Sequence, residues 1–148
     1  MKLGFIGTGN ISFDVVTGIC KSKISFQKII VSPRNKKKAQ KLNKQFKKVI
    51  IAKNNQEVID RSDWVFLSVL PEVGEKILPK LNFKSSQTIV SFISTIDYER
   101  LKKILKKKIK IVRAIPMPPI SLGKGPVAIF PPDKKVKNFF NKLGTTIE

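Results

Sequence analysis

Near the start of the chain two glycines stand one residue apart, in Gly7-Thr8-Gly9-Asn10-Ile11-Ser12. An apolar run directly precedes them and an amphipathic stretch follows. With this spacing the backbone itself can act as a ligand. Gly7 permits a tight turn, Gly9 lets the backbone approach a pyrophosphate, and a small residue at Ser12 lets the helix pack close to the preceding strand. The anion then rests on free N–H groups at the helix N-terminus. Gly7, Thr8, Gly9, Asn10 and Ile11 are therefore candidate contacts of a dinucleotide's phosphates. A glycine turn with only a packing role is the plainer alternative.

The residues after the second apolar run select among dinucleotides. An acid there would hydrogen-bond the ribose 2′-hydroxyl of NAD. This chain has no acid between Asp14 and Glu57. It has Val31-Ser32-Pro33-Arg34-Asn35 instead, followed by Lys36 and Lys37. Ser32 can donate to a 2′-phosphate and Arg34 can fork onto it, so the implied cofactor is NADP(H). A later apolar run, Phe66-Leu67-Ser68-Val69-Leu70-Pro71, ends in a turn. Ligands of open α/β sheets bind at the carboxyl ends of the strands. Ser68, Val69, Leu70 and Pro71 are thus expected to line the adenosine or pyrophosphate side, and Ser91-Phe92-Ile93-Ser94 to lie nearer the nicotinamide.

Other chemistries are excluded by residue type. The chain has no histidine and one cysteine, Cys20. A histidine-based triad, a histidine-ligated metal and an internal disulfide are therefore impossible, and no metal site is expected. Proton transfer would fall to Tyr98, a lysine, a carboxylate or water. Hydride transfer suits such a chain, because a cofactor carries the chemistry and the protein supplies orientation. Asp97 reads as a helix N-cap rather than a catalytic acid, and Cys20 as a packed thiol. No catalytic side chain is assigned.

The elements that must hold these residues follow from apolar periodicity. Strands are predicted at residues 2–6, 28–31, 49–51, 64–69, 88–92 and 109–115, and helices at 11–21, 35–48, 56–61, 72–81 and 98–107. The alternation predicts an α/β fold: a Rossmann-type, doubly wound, mostly parallel sheet with helices on both faces. From Pro116 the pattern changes to a stiff Pro/Gly loop, then a strand at 127–130, a helix at 134–142 and the start of a strand at 145–148. The 148 residues read as one NAD(P)-binding domain.

Charge is the unusual feature: 30 basic against 10 acidic side chains, a formal net of +20. Such a balance invites a nucleic-acid reading. The cations are 26 Lys and only 4 Arg, however, and base-edge readers favour the planar Arg fork. Aromatic residues are not interleaved with the charges, so no base-stacking platform is expected. Lysine-rich, solvated helix faces are the plain reading, with a local functional component at Ser32, Arg34 and Lys36. No nucleic-acid partner is expected. No run approaches the roughly 20 apolar residues of a membrane span, and the apolar stretch at the N-terminus is too short for a signal peptide. The expected location is the cytoplasm, with no membrane partner.

Four segments together resemble the N-terminal half of pyrroline-5-carboxylate reductases. They are Gly4-Phe5-Ile6-Gly7-Thr8-Gly9-Asn10-Ile11, Val31-Ser32-Pro33-Arg34, Asp63-Trp64-Val65-Phe66-Leu67-Ser68-Val69 with Pro71, and Val112-Arg113-Ala114-Ile115-Pro116, continued by Pro119, Gly123 and Gly125. A wider group that includes F420-dependent NADP reductases shares the first three. The resemblance implies an NAD(P)H-dependent oxidoreductase that reduces a cyclic imine, 1-pyrroline-5-carboxylate, to proline. It also implies a second, all-helical domain that forms a homodimer and completes the substrate pocket, and that domain is expected to be absent from this chain. Met117 and Pro118 stand where the family carries Asn and Thr, and Leu70 where it commonly has Lys. Phe92 and Ile93 replace a run of small residues. These departures fall at the nicotinamide end. A non-catalytic NADP-binding module, and a divergent relative of the imine- or F420-type reductases, stand as the alternative functions.

Overall fold

The computed structural model describes residues 1–106, 108–117 and 119–148. Lys107 and Pro118, which the sequence reading places in a helix and in the Pro/Gly loop, lie outside the described residues. Strands β1 (Lys2–Ile6), β2 (Lys28–Val31), β3 (Val49–Ile51), β4 (Trp64–Leu67), β5 (Thr88–Ser91), β6 (Lys110–Pro116), β7 (Pro126–Phe130) and β8 (Thr145–Ile147) form one sheet. Their spatial order is β3-β2-β1-β4-β5-β6-β7-β8. All pairings are parallel except β6 with β7. This is the expected mostly parallel, doubly wound α/β architecture. Its direction reverses between β1 and β4, and that switch point is where such sheets bind ligands.

Helices cover both faces. On one side α1 (Asn10–Lys21), α2 (Lys36–Gln45) and α6 (Lys134–Asn141) bury Val15, Val16, Ala39, Leu42, Phe139 and Phe140. On the other, α3 (Asn55–Asp60), α4 (Pro71–Ile77) and α5 (Tyr98–Leu105) bury Val58, Ile59, Leu101 and Ile104. The central strands are apolar on both sides, as parallel strands between two helical layers must be. Phe5 and Phe66 stack at 4.5 Å on β1 and β4, directly beneath the switch point. Such a pair contributes about 0.5–1.5 kcal/mol beyond its buried area and stiffens the two strands whose ends carry the site.

Caps set most helix starts. Asn35 accepts from Lys38 N–H, Asn54 from Glu57 N–H, Asp97 from Arg100 N–H and Asp133 from Val136 N–H. The N-cap reading of Asp97 is borne out at 2.8 Å. Several boundaries differ from the periodicity. The helix expected over 35–48 ends at Gln45, because Phe46 turns extended and feeds Lys47 and Lys48 into β3. The strand expected to 69 ends at Leu67, opposite Ile6, where β1 itself turns away at Gly7. The helix expected over 72–81 starts on Pro71 and tightens into a 3-10 turn at Leu78–Lys80, where Pro79 cannot continue the α ladder.

Candidate functional site

The loop between β1 and α1 sits above the switch point. Gly7 has φ +95°, a conformation L side chains rarely adopt, and a Cβ there would stand 2.2 Å from the Ser68 carbonyl oxygen. The close approach of the two strand ends therefore requires glycine. Gly9 is different: its φ is −85°, and a Cβ built on it meets nothing within 4 Å. Among the described residues no contact excludes a side chain at Gly9, and the space it leaves lies at the N-terminus of α1. That helix has no side-chain cap and no acid in its first turn, so its leading N–H groups face the opening.

Three hydroxyls shape this loop from below. Ser12 is fully buried and donates to the Gly7 carbonyl at 2.6 Å. Thr8 Oγ1 donates to the Ser32 carbonyl at 2.8 Å, and Ser32 Oγ accepts from Gly7 N–H at 2.9 Å. The two hydroxyl oxygens are 3.1 Å apart, and with the Thr8 proton engaged Ser32 is the donor in that pair. Ser32 is only 1% exposed and does not line the cleft. Its hydroxyl faces the phosphate loop.

The cleft above has a volume of about 660 Å³ and is walled by the Gly7–Gly9 loop, by Arg34 to Lys37, and by Ser68 to Leu70 with Val73. Arg34, Lys36 and Lys37 are exposed and form no hydrogen bond or ion pair through their side chains with any described residue. Lys38 crosses from α2 to α1, donating through Nζ to Asn10 Oδ1. A second cleft of about 340 Å³ continues past Leu70. It is bordered by Asn10, Ile11 and Pro71 on one side and by Phe92, Ile93 and Ser94 on the other. Gly9, Ser68, Val69 and Leu70 belong to both. The structure thus brings the predicted site residues onto one continuous crevice, except Ser32 and Ser91, which are each 1% exposed and line neither cleft.

These residues fit a dinucleotide: backbone N–H groups at a helix start, a glycine facing open space, and unpartnered cations where a ribose 2′-phosphate would lie. Residues 2–96 match the family described as NADP oxidoreductase coenzyme F420-dependent. The chain belongs to that family. Its members are NADP oxidoreductases, and this chain is an NADP-binding domain among them. It is 30% identical over 128 residues to pyrroline-5-carboxylate reductase 3 of Danio rerio, covering 84% of this chain and 44% of that protein. It is 27% identical over 140 residues to the pyrroline-5-carboxylate reductase of Haemophilus influenzae, covering 93% and 51%. The fold matches the crystal structure of Plasmodium falciparum pyrroline carboxylate reductase with NADP bound, at TM-score 0.85 and 21% identity, over 100% of this chain and 57% of that one. The chain spans about half the length of the curated relatives it matches.

Sequence reasoning missed how the family loop is held. Ser12 was legible as a small residue, but its bond to the Gly7 carbonyl depends on helix geometry. The Ser32 clamp joins residues 25 apart, and Lys38 to Asn10 joins residues 28 apart. Only the parallel register of β1 with β2, which sets Phe5 opposite Val31, brings the first pair together. Cys20 is half-buried on α1 with its thiol pushed up to about 11 by burial, against a smaller opposing influence from Lys48. This fits a packed, unreactive thiol.

Proposed function

We propose that this chain is the cofactor-binding half of an NADPH-dependent reductase that converts 1-pyrroline-5-carboxylate, a cyclic imine, to proline in the cytoplasm. The observation that carries the reading is the unpartnered cationic turn of Arg34, Lys36 and Lys37 beside the Gly7–Gly9 loop, in a chain whose curated relatives bear that name. When bound, the cofactor supplies a hydride. The protein's residues bind and orient it. The first N–H groups of α1 would hold the pyrophosphate, Arg34 with Lys36 and Lys37 the 2′-phosphate, and Ser68 to Pro71 the wall along which it lies. Phe92, Ile93 and Ser94 would flank the nicotinamide end.

No described side chain in either cleft is an acid or a tyrosine, so proton delivery is assigned to a helical second domain or to water. An uncovered apolar row supports such a domain. Ile115, Ala128 and Ile147 lie side by side across β6, β7 and β8, with Ile147 53% and Phe130 55% exposed. A helical domain that packs there, completes the pocket and forms a homodimer fits this surface. The test is to titrate the chain with NADPH and then add 1-pyrroline-5-carboxylate. We expect saturable binding without proline formation, and turnover once a helical half is joined to it. Failure to bind NADPH contradicts the reading.

A non-catalytic NADP-binding module is the second reading. Met117, 47% exposed just beyond β6, places a thioether where the resemblance implies an amide. Tight NADPH binding with no turnover by the joined protein favours that module.

A further inference from the structure

Charge is divided unequally between the two faces of the sheet. Helices α1, α2 and α6 contain a single carboxylate, Asp14. Helices α3, α4 and α5 contain five: Glu57, Asp60, Glu72, Glu75 and Glu99. On the first face Lys137 pairs with Glu148 at 2.6 Å, and the other lysines of these three helices have no carboxylate partner among the described residues.

On that face lies a cavity of about 460 Å³, formed by the end of α1, the 3-10 turn Ile120–Leu122 and the residue that caps the end of α6. Gly18 gives it depth: a Cβ there would stand 2.8 Å from the Ile120 carbonyl oxygen, so only glycine lets the turn lie against the helix. Buried Gly18 lies at its base, and exposed Leu122, Lys21, Lys23 and Lys142 border it together with Ser121. None of these three ammonium groups, nor the Ser121 hydroxyl, has a partner among the described residues. No carboxylate lines the cavity. It shares no lining residue with the dinucleotide cleft, and along α1 its first residue, Gly18, stands about 10 Å from Ile11 at the cleft.

We propose that this cavity binds a small polyphosphate at a site separate from the dinucleotide cleft. Three lysines border the cavity with no acid in its lining, and an anion would relieve the repulsion among their charges. Lysines are point charges on flexible stems, suited to charge spread over several phosphates rather than to one planar carboxylate. The Ser121 hydroxyl adds a directed donor. Nucleoside and inorganic polyphosphates share this chemistry.

The test is an amide-resolved NMR titration of the whole chain with inorganic tripolyphosphate at about 150 mM salt, where long-range attraction is screened. We expect saturable shifts at Gly18, Ser22, Ser121 and Gly123, in addition to any at Gly7, Gly9 and Asn10. The K21A/K23A/K142A variant removes only exposed groups, and an otherwise unchanged spectrum verifies its fold. It should weaken binding at the first set about tenfold, the combined effect of three exposed ion contacts, while Arg34→Ala leaves that set unaffected. A parallel titration with ATP separates the sources: equal affinity identifies the phosphate chain as what is read, and tighter binding adds a nucleoside contact with the exposed Leu122 side chain. Shifts confined to Gly7, Gly9 and Asn10, non-saturating shifts spread over all lysine-bearing helices, or citrate binding as tightly as tripolyphosphate would overturn the proposal.

Discussion

The Ser32 hydroxyl accepts the Gly7 N–H at 2.9 Å, tying the end of β2 to the turn that opens α1. Through this bond the strand end proposed to select the cofactor also holds the loop proposed to cradle its phosphates. Removing the hydroxyl leaves the part-buried Gly7 N–H without its acceptor, while Thr8 keeps its bond to the Ser32 carbonyl, at a cost of about 1–3 kcal/mol. Ser32→Ala is expected to lower the melting temperature by about 2–4 °C for each kcal/mol lost. It should weaken NADPH and NADH by the same factor, because the loop serves both. A loss confined to NADPH, read by fluorescence titration, would show that Ser32 contacts the 2′-phosphate directly.

The two loop glycines are expected to separate folding from binding. Gly7→Ala forces a side chain into φ +95° and against the Ser68 carbonyl, so it should destabilise the domain by about 2 kcal/mol or more. Gly9→Ala meets no protein atom within 4 Å and should leave the thermal melt within about 1 kcal/mol of the parent. It places a methyl group where the pyrophosphate must approach, and cofactor affinity should fall steeply. A Gly9→Ala protein that melts normally and binds NADPH normally contradicts the placement of the phosphates.

Asp133 links stability to pH. Burial raises its carboxyl, but the hydrogen bonds from Lys110 and from the Val136 and Lys135 N–H groups outweigh that, and its pKa falls below the ordinary 3.8. A depressed folded value means that the carboxylate stabilises the fold fully above the unfolded pKa. The contribution is lost as pH falls through the lower folded one. Asp133→Ala should cost about 1 kcal/mol at neutral pH, through the α6 cap, and progressively less below pH 3.8. Denaturant midpoints of both proteins from pH 7 to 2 check this, and a difference that grows on acidification contradicts it.

How much was legible depends on how local each cause is. The β1–α1 turn reads directly, because Gly7, Gly9 and the flanking periodicities are contiguous. Asn35 and Asp97 announce helix starts for the same reason. The reversal of direction between β6 and β7 has no local signature, since the Pro/Gly loop from Pro116 permits either hand of return. The early end of α2 at Gln45 is set by the need to begin β3 at Val49 opposite Ile29, a constraint from another strand. The role of Ser32 is hidden likewise: its residue type permits a phosphate contact, and only burial under the loop redirects its hydroxyl to Gly7. The cavity at Lys21 and Lys142 joins residues 121 apart, so no sequence pattern could announce it.

In the proposed function cofactor selection falls to Arg34, with Lys36 and Lys37 beside it, and its most direct test is the ratio of NADH to NADPH dissociation constants in the parent and in Arg34→Ala. A charge-assisted contact to phosphate contributes about 1.5–3 kcal/mol, so the variant should bind NADPH at least about tenfold more weakly. NADH should change by no more than about twofold, because it lacks the group Arg34 faces. Equal affinities for the two cofactors in the parent chain, or a parallel loss of both in the variant, would contradict the assignment of this cleft to NADPH.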